Sequence, residues 1–308
     1  MQPVVKAENL SKWYGNILGI SDITLAINPG IKGLLGPNGA GKSTFLKLVS
    51  GQLKPNIGRI TVFGEPVFAN HKLFSRIGFC PEHASLYTDI SGWEQVLFFA
   101  KLQGCSKKEA IEKTERALAK VGLLEQKNKI IRSYSFGMQQ RLKIAVSIVN
   151  EPELLILDEP LRGVDPLWRF RIVQIIKENS HEGKTIIVAS HNLPEIEAMT
   201  NEIVLIHQGK IFAEGDIYYI RDLIDTHPHM ISITTPHFRK LASLMIQNHC
   251  IETIQFDQEH QKVTFKTNNR DHFYAVLTGT IVENQIEIEE ITAPDDNLQA
   301  VFDYLIAR

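Results

Sequence analysis

Residues 36–44 read Gly-Pro-Asn-Gly-Ala-Gly-Lys-Ser-Thr, between an apolar run, Ile31–Leu35, and a stretch of helical character, Lys42–Val49. This is G-x-x-x-x-G-K-[ST], and in strand–loop–helix context it constrains the chain more than any other feature. The glycines let backbone N–H groups turn inward, and the following helix adds its N-terminal dipole. Lys42 is placed to reach the β- and γ-phosphates of a nucleotide, and the Ser43 hydroxyl to ligate Mg²⁺. A random chain of this length matches the pattern roughly once in a hundred. A chance glycine turn would not also lie between an apolar strand and a helix.

Two further apolar runs end in chemically loaded residues. Leu154–Leu157 runs into Asp158 and Glu159, and Thr185–Ala189 runs into Ser190 and His191. Short continuous apolar runs suit strands of a parallel sheet covered on both faces. In such sheets ligands sit beyond the carboxyl ends of the strands, so the three corners are candidates for one site. Asp158 is placed to hold Mg²⁺ and Glu159 to polarise an attacking water. His191 has two open readings: a partner of the γ-phosphate or that water, or a structural histidine at a strand end.

Helical stretches separate these runs. Ser91 and Glu94 form an S-x-x-E capping box opening a helix through about Gln103. Glu109–Val121 reads as an amphipathic helix with Glu/Lys pairs on its wet face, and Met138–Asn150 as a helix with Leu142, Ala145, Val146 and Val149 on one side. The texture changes at Thr226-His227-Pro228-His229, a linker by composition. Beyond it the pattern predicts strand Met230–Thr234, helix Phe238–Asn248, strands Ile251–Asp257 and Lys262–Thr267, helix Asp271–Leu277, strand Gln285–Ile291 and helix Leu298–Ile306. That βαββαβ order implies a small α+β, ferredoxin-like domain over 227–308.

Composition excludes several classes. The 308 residues are 44% hydrophobic and 22% charged, ordinary for a folded protein of about two domains. With 33 basic and 35 acidic residues the net charge is -2, so no bulk positive field draws the chain to nucleic acid. Cys80, Cys105 and Cys250 form neither a disulfide framework nor a CxxC pair, which fits a reducing compartment. The first twenty residues carry Lys6, Glu8 and Lys12 with no apolar signal region, and no run approaches the ~20 apolar residues of a membrane span. Any relation to a membrane is expected through a partner.

One further motif makes the pattern specific. Tyr134-Ser135-Phe136-Gly137-Met138-Gln139-Gln140-Arg141 lies between the glycine loop and Asp158. It resembles the signature of ATP-binding cassette (ABC) transporter ATPases, and the resemblance covers roughly residues 3–225. It implies a P-loop NTPase cassette, an α/β fold with a RecA-like parallel sheet core, an antiparallel β part and a helical subdomain at about 83–150, together making a nucleotide-binding domain over 1–226. It implies ATP and Mg²⁺ as ligands. Gly36, Pro37, Asn38, Gly39, Ala40, Gly41, Lys42, Ser43 and Thr44 would form the phosphate loop, and Tyr14 would stack on adenine, its other reading being a surface aromatic. Asp158 matches the Mg²⁺-side aspartate, Glu159 the catalytic carboxylate and His191 the switch histidine. Gly163-Val164-Asp165-Pro166 matches the dimer-interface D-loop. Ser135, Gly137 and Met138 would face ATP bound to another subunit.

Three departures from the family pattern stand out. The signature has Phe136 for the usual first glycine and Met138 for the usual glutamine, a variant associated with exporters. The usual Q-loop glutamine is Glu82, which can still ligate Mg²⁺ but adds a charge beside the metal. Leu161-Arg162 precedes the D-loop where Thr or Asn is commoner. The segment Asp296–Phe302 echoes the closing helix of ABC-2-type exporter ATPases.

The resemblance therefore implies the energy-coupling ATPase of a membrane exporter. It would work as a homodimer, or pair with a related subunit, around two ATP molecules. A separate transmembrane permease would dock near Glu82–Tyr87 and Phe98 or Phe99, and the protein would lie peripherally on the cytoplasmic face of the cell membrane. The rival reading is a soluble cassette ATPase acting on ribosomes or DNA. A single glycine loop, about ninety residues between Lys42 and Ser135, and the lack of a basic patch weigh against it. A nucleotide kinase or GTPase is opposed by the signature and D-loop.

Overall fold

Strands that are apolar from end to end must be covered on both faces, and the chain builds that layered core. The computed structural model describes residues 2–83, 86–217, 229–247 and 250–293. The chain divides into two compact units, Met1–Ile217 and Tyr218–Arg308.

In the first unit the order is β1 (Val5–Tyr14), β2 (Ile17–Ile27), β3 (Ile31–Leu35), α1 (Lys42–Val49), β4 (Ile57–Val62), β5 (Glu65–Pro66), α2 (His71–Phe74) and β6 (Ile77–Cys80). There follow α3 (Gly92–Lys101), α4 (Lys107–Lys120), a 3₁₀ turn (Ile131–Ser133), α5 (Phe136–Ile148), β7 (Leu154–Asp158), α6 (Pro166–His181), β8 (Thr185–Ser190), α7 (Leu193–Glu197), β9 (Glu202–His207) and β10 (Lys210–Asp216). The six-stranded sheet runs β10-β9-β3-β8-β7-β6. All its pairings are parallel except that of edge strand β10 with β9. A second, antiparallel sheet runs β2-β1-β4-β5.

Helix α1 fixes the glycine loop because it is wedged between the two sheets. Its Phe45, Leu46, Leu48 and Val49 are buried with Val5, Leu10 and Ile20 on one side and Leu154, Ile156 and Ile187 on the other. Each such side chain contributes roughly 1.5–3 kcal/mol by leaving water. Core packing thus fixes the end of the loop that enters α1.

The capping box at α3 forms as expected: Ser91 Oγ accepts from Glu94 N at 3.2 Å while Ser91 N donates to Glu94 Oε2 at 2.8 Å. Helix α4 is capped by Ser106, which accepts from Glu109 N, and Glu109 pairs with Lys113 at 3.1 Å one turn on. Helix α5 begins at Phe136 rather than Met138, because Ser135 Oγ accepts from Met138 N at 3.2 Å and caps it. Instead of one apolar stripe, α5 is buried on most sides, Gln140 and Lys143 included.

In the second unit, β11 (His229–Thr234), α8 (Phe238–Met245), β12 (Ile251–Asp257), β13 (Lys262–Thr267), α9 (Arg270–Asn284) and β14 (Glu290–Thr292) form one antiparallel sheet of order β12-β13-β11-β14 with two helices. This is the ferredoxin-like strand order. Ile231, Ile233, Leu241, Met245, Phe265, Phe273 and Leu277 make its core. Helix α9 runs to Asn284, seven residues beyond the expected Leu277, and closes on Gln285 in the left-handed region at φ 50°. Strand β14 is correspondingly shorter than the expected Gln285–Ile291. Helix α8 ends at Met245 rather than Asn248. The expected linker residues 226–228 and terminal helix 298–306 lie outside the described residues.

Candidate nucleotide site

The parallel sheet places β3, β8 and β7 side by side, so their carboxyl ends open onto one edge. The glycine loop follows β3, Asp158 ends β7 with Glu159 next, and Ser190 ends β8 with His191 next. Gly41 stands at φ 107°, and a Cβ there would come within 2.7 Å of the Gly19 carbonyl oxygen, so only glycine lets the loop enter α1 this way. A cleft of about 540 Å³ lies over this edge, and Tyr14, all of Pro37–Thr44, Glu82, Asp158, Glu159 and Arg162 line it.

Lys42 is buried, and its Nζ donates to the carbonyls of Gly36 at 2.6 Å and Pro37 at 3.1 Å. Burial holds its pKa below the usual lysine range, opposed by the nearby Glu159 and Asp158 charges. Asp158 is 3% exposed, and burial pushes its carboxyl pKa up, although the Ser43 hydroxyl hydrogen-bonds it. Its Oδ1 is buried without a hydrogen-bond partner. An unpartnered carboxylate oxygen beside a serine hydroxyl is a donor set that suits a hard divalent cation.

Glu159 is buried and tied from several directions. Its Oε1 accepts from the His191 backbone N at 3.0 Å, lies 2.8 Å from His191 Nδ1 and stands 3.9 Å from Lys42 Nζ. The Ser190 hydroxyl is 3.3 Å from Oε2 and 3.0 Å from Glu195 Oε2, which share its one hydrogen. Its backbone is left-handed at φ 49°, a conformation uncommon for a residue other than glycine. Tyr14 is 43% exposed, with its hydroxyl 3.4 Å from Thr44 Oγ1, leaving the ring accessible at the cleft rim.

The structure does not bring every expected site residue into this cleft. Ser135, Gly137, Met138 and Asp165 do not line it, nor do Gly36 and His191, which reach it through Lys42 and Glu159. Ser135 caps α5, and Asp165 caps α6 by accepting from Trp168 N at 3.1 Å. The Phe136 ring lies against Gly163, where an added Cβ would meet it at 2.2 Å, so signature and D-loop are in direct contact.

Sequence reasoning gave no structural role to four residues around the site and its neighbouring helix. Gln140 Nε2 donates to the carbonyls of Glu159 and Pro160, both at 3.2 Å, pinning the carboxylate turn to α5. Arg141 stacks on Trp168 at 4.1 Å from the ring centroid. Lys143 Nζ donates to the Glu82 carbonyl at 2.7 Å. Arg162 Nη1 pairs with Glu82 Oε1. Helix α5 also carries Gln139, Arg141 and Ser147, so polarity along it did not single out Gln140 and Lys143.

Known proteins give this geometry a family. A family model described as "ABC transporter" matches residues 20–162. The bacitracin transport ATP-binding protein BcrA of Enterococcus faecalis is 41% identical over 220 residues, 70% of each chain. The protein of the same name from Bacillus licheniformis is 33% identical over 309 aligned residues, covering 99% of this chain and 98% of its own. Among solved structures, an ATP-binding cassette determined as a dimer in a post-hydrolysis state with ADP and Pi superposes with TM-score 0.64 at 24% identity, over 69% of this chain and 98% of that one. The strand ends, the loop and these relatives agree: the chain belongs to the family of ABC transporter ATP-binding proteins.

Proposed function

We propose that this protein hydrolyses ATP to drive a separate transmembrane exporter, and that two ATP-binding subunits close around two nucleotides to do so. The observation that supports this most is the division of the site. Lys42, Ser43, Asp158 and Glu159 share one cleft, while Ser135 and Gly137 at the N-terminus of α5 lie outside it. A helix N-terminus with a serine cap is a ready anion site, and a second subunit's γ-phosphate is the ligand that would complete it.

In this reading Tyr14 stacks on the base and the Pro37–Thr44 loop wraps the phosphates. Lys42 leaves its two carbonyl partners for the β- and γ-phosphates. Ser43 and Asp158 are the residues that would hold Mg²⁺, with Glu82 beside them; the ion would neutralise charge across the phosphates. Glu159 takes a proton from the attacking water as the bond to the γ-phosphorus forms, and ADP leaves with the electron pair of the broken bond. His191 holds the Glu159 carboxylate in line through Nδ1 and its backbone N–H. The bacitracin-transport name of the relative that aligns over 99% of this chain supports the transporter assignment.

The nucleotide-binding domain then spans 1–226 and 227–308 is an accessory domain. Tyr87 and Phe98, exposed by 57% and 47% and in edge contact at 6.3 Å, are the apolar anchors offered to the permease. No helix among the described residues is long and apolar enough to cross a membrane. Attachment to the cytoplasmic face of the membrane would come through that permease.

Glu159→Gln tests the sandwich. It keeps size and shape but removes the base and one charge, so ATP should bind without cleavage and the closed pair should persist. Size-exclusion chromatography with ATP, with ADP and without nucleotide should show a dimer with ATP alone. A monomer in all three, repeated with the permease present, would overturn the sandwich, and wild-type turnover would overturn Glu159 as the base.

A further inference from the structure

Glu82 is held at both ends. Its backbone carbonyl accepts from Lys143 Nζ of α5 at 2.7 Å, and its carboxylate takes the Arg162 guanidinium. The imidazole of His83 stands 3.4 Å from the same carboxylate oxygen. Arg162 reaches it from the turn after Glu159, where Arg162 N donates to the Glu159 carbonyl at 3.2 Å. Both partners line the cleft that holds Lys42, Ser43, Asp158 and Glu159.

The charges explain why such a pair belongs there. Glu82, Asp158 and Glu159 line the cleft beside Lys42 and Arg162. A glutamine at 82 would bring no charge; a glutamate brings one, and Arg162 returns the balance at the same spot. A guanidinium on a carboxylate also occupies lone pairs that a metal ion would use.

We propose that Arg162 is a positioning residue that acts through Glu82, withholding its carboxylate so that Mg²⁺ arriving with nucleotide must compete for it. This rests on the nucleotide-site reading above. It accounts for two departures from the family pattern, Glu82 and Arg162, by one contact, and it makes metal demand the property that the pair sets.

The test uses the full chain and a fluorescent, slowly hydrolysed ATP analogue, titrated with Mg²⁺ from EDTA to saturation, in wild type, Arg162→Gln, Arg162→Lys, Glu82→Gln and the double variant Glu82→Gln/Arg162→Gln. Arg162→Gln should lower the Mg²⁺ concentration for half-maximal binding by roughly three- to fivefold, the scale of a half-exposed ion pair. Arg162→Lys should stay within about twofold of wild type, because a charge remains to hold the carboxylate. In the Glu82→Gln background the same Arg162 change should leave the Mg²⁺ midpoint where it was, a cancellation that loss of local packing would not produce. A loss of analogue affinity of the same size in EDTA and in Mg²⁺, persisting with Gln at 82, would overturn the proposal by showing that Arg162 touches phosphate directly. Superimposable curves for wild type and Arg162→Gln would overturn it as an inert surface pair. Failure of the wild type to bind the analogue at all would overturn the nucleotide site itself.

Discussion

The two units of this chain use charge in opposite ways. The first buries Lys42, Lys143, Asp158 and Glu159, whereas among the described residues of the second the buried polar side chains are hydroxyls and one histidine, His229, Ser232, Thr235 and Thr267. In the second unit those groups tie off structure: Ser232 and Thr264 share a hydrogen bond across β11 and β13 at 2.8 Å, and Thr267 donates to the Cys250 carbonyl at 2.7 Å. In the first, Asp158 keeps a buried oxygen without a partner and Lys42 is bonded only to carbonyls and a distant carboxylate. Buried charge of that kind destabilises a fold unless a ligand completes it. The contrast locates function by its energetic cost.

The contrast is sharpest at Lys42. Lys42→Ala should lower ATP turnover by roughly 10²–10³-fold, the scale of losing one preorganised donor at developing charge, with little loss of thermal stability. Phosphate release against a melting curve checks both, and retained turnover would remove Lys42 from the site. Phe265→Ala is the counterpart in the second unit. It should destabilise that unit by about 3–5 kcal/mol by opening its core while nucleotide binding stays as it was. Chemical denaturation followed beside ATP-analogue binding separates the two, and loss of binding would show that the units depend on each other.

The smallest effect is the most diagnostic of buried charge. Asp158→Asn should raise the stability of the ligand-free protein by about 1 kcal/mol at neutral pH, since an uncharged amide escapes the burial cost. It should lose metal-dependent nucleotide binding. The sign follows from the raised carboxyl pKa: the folded state holds its proton to higher pH than the unfolded state does. Stability conferred by that proton is complete at pH below 3.8, the unfolded value, and is lost as pH rises through the higher folded value. The gap between Asp158→Asn and wild type should therefore close as pH falls through that window, read from denaturation midpoints. A gap independent of pH would assign the difference to packing.

Elements whose determinants are local were legible in the sequence. The glycine loop, the apolar runs ending at Asp158 and Ser190, and the Ser91/Glu94 box each need only neighbours within a few residues. So does the alternation that marks Lys262–Thr267, whose side chains alternate in burial along β13. The second half of α9 was not legible, because Thr278–Val282 is rich in β-branched residues that resemble a strand. Tertiary packing overrides that preference: Ile281 packs on the core that Phe273 and Leu277 build. Long-range polar contacts were invisible for a plainer reason. Glu82 and Arg162 are eighty residues apart, and Lys143 reaches Glu82 from sixty-one residues away. Only the order of the sheet, which sets β6 beside β7, brings those segments together.

The ring of Phe136 resting on Gly163 bears on how such sequences are free to drift. An added Cβ at 163 would meet that ring at 2.2 Å, and the backbone there stands at φ 67°, so a side chain at 163 would have both to take up a left-handed conformation and to swing the exposed ring aside. A variant library that randomises position 163 should therefore return mostly glycine whatever residue stands at 136, because the backbone conformation there is costly for any other residue.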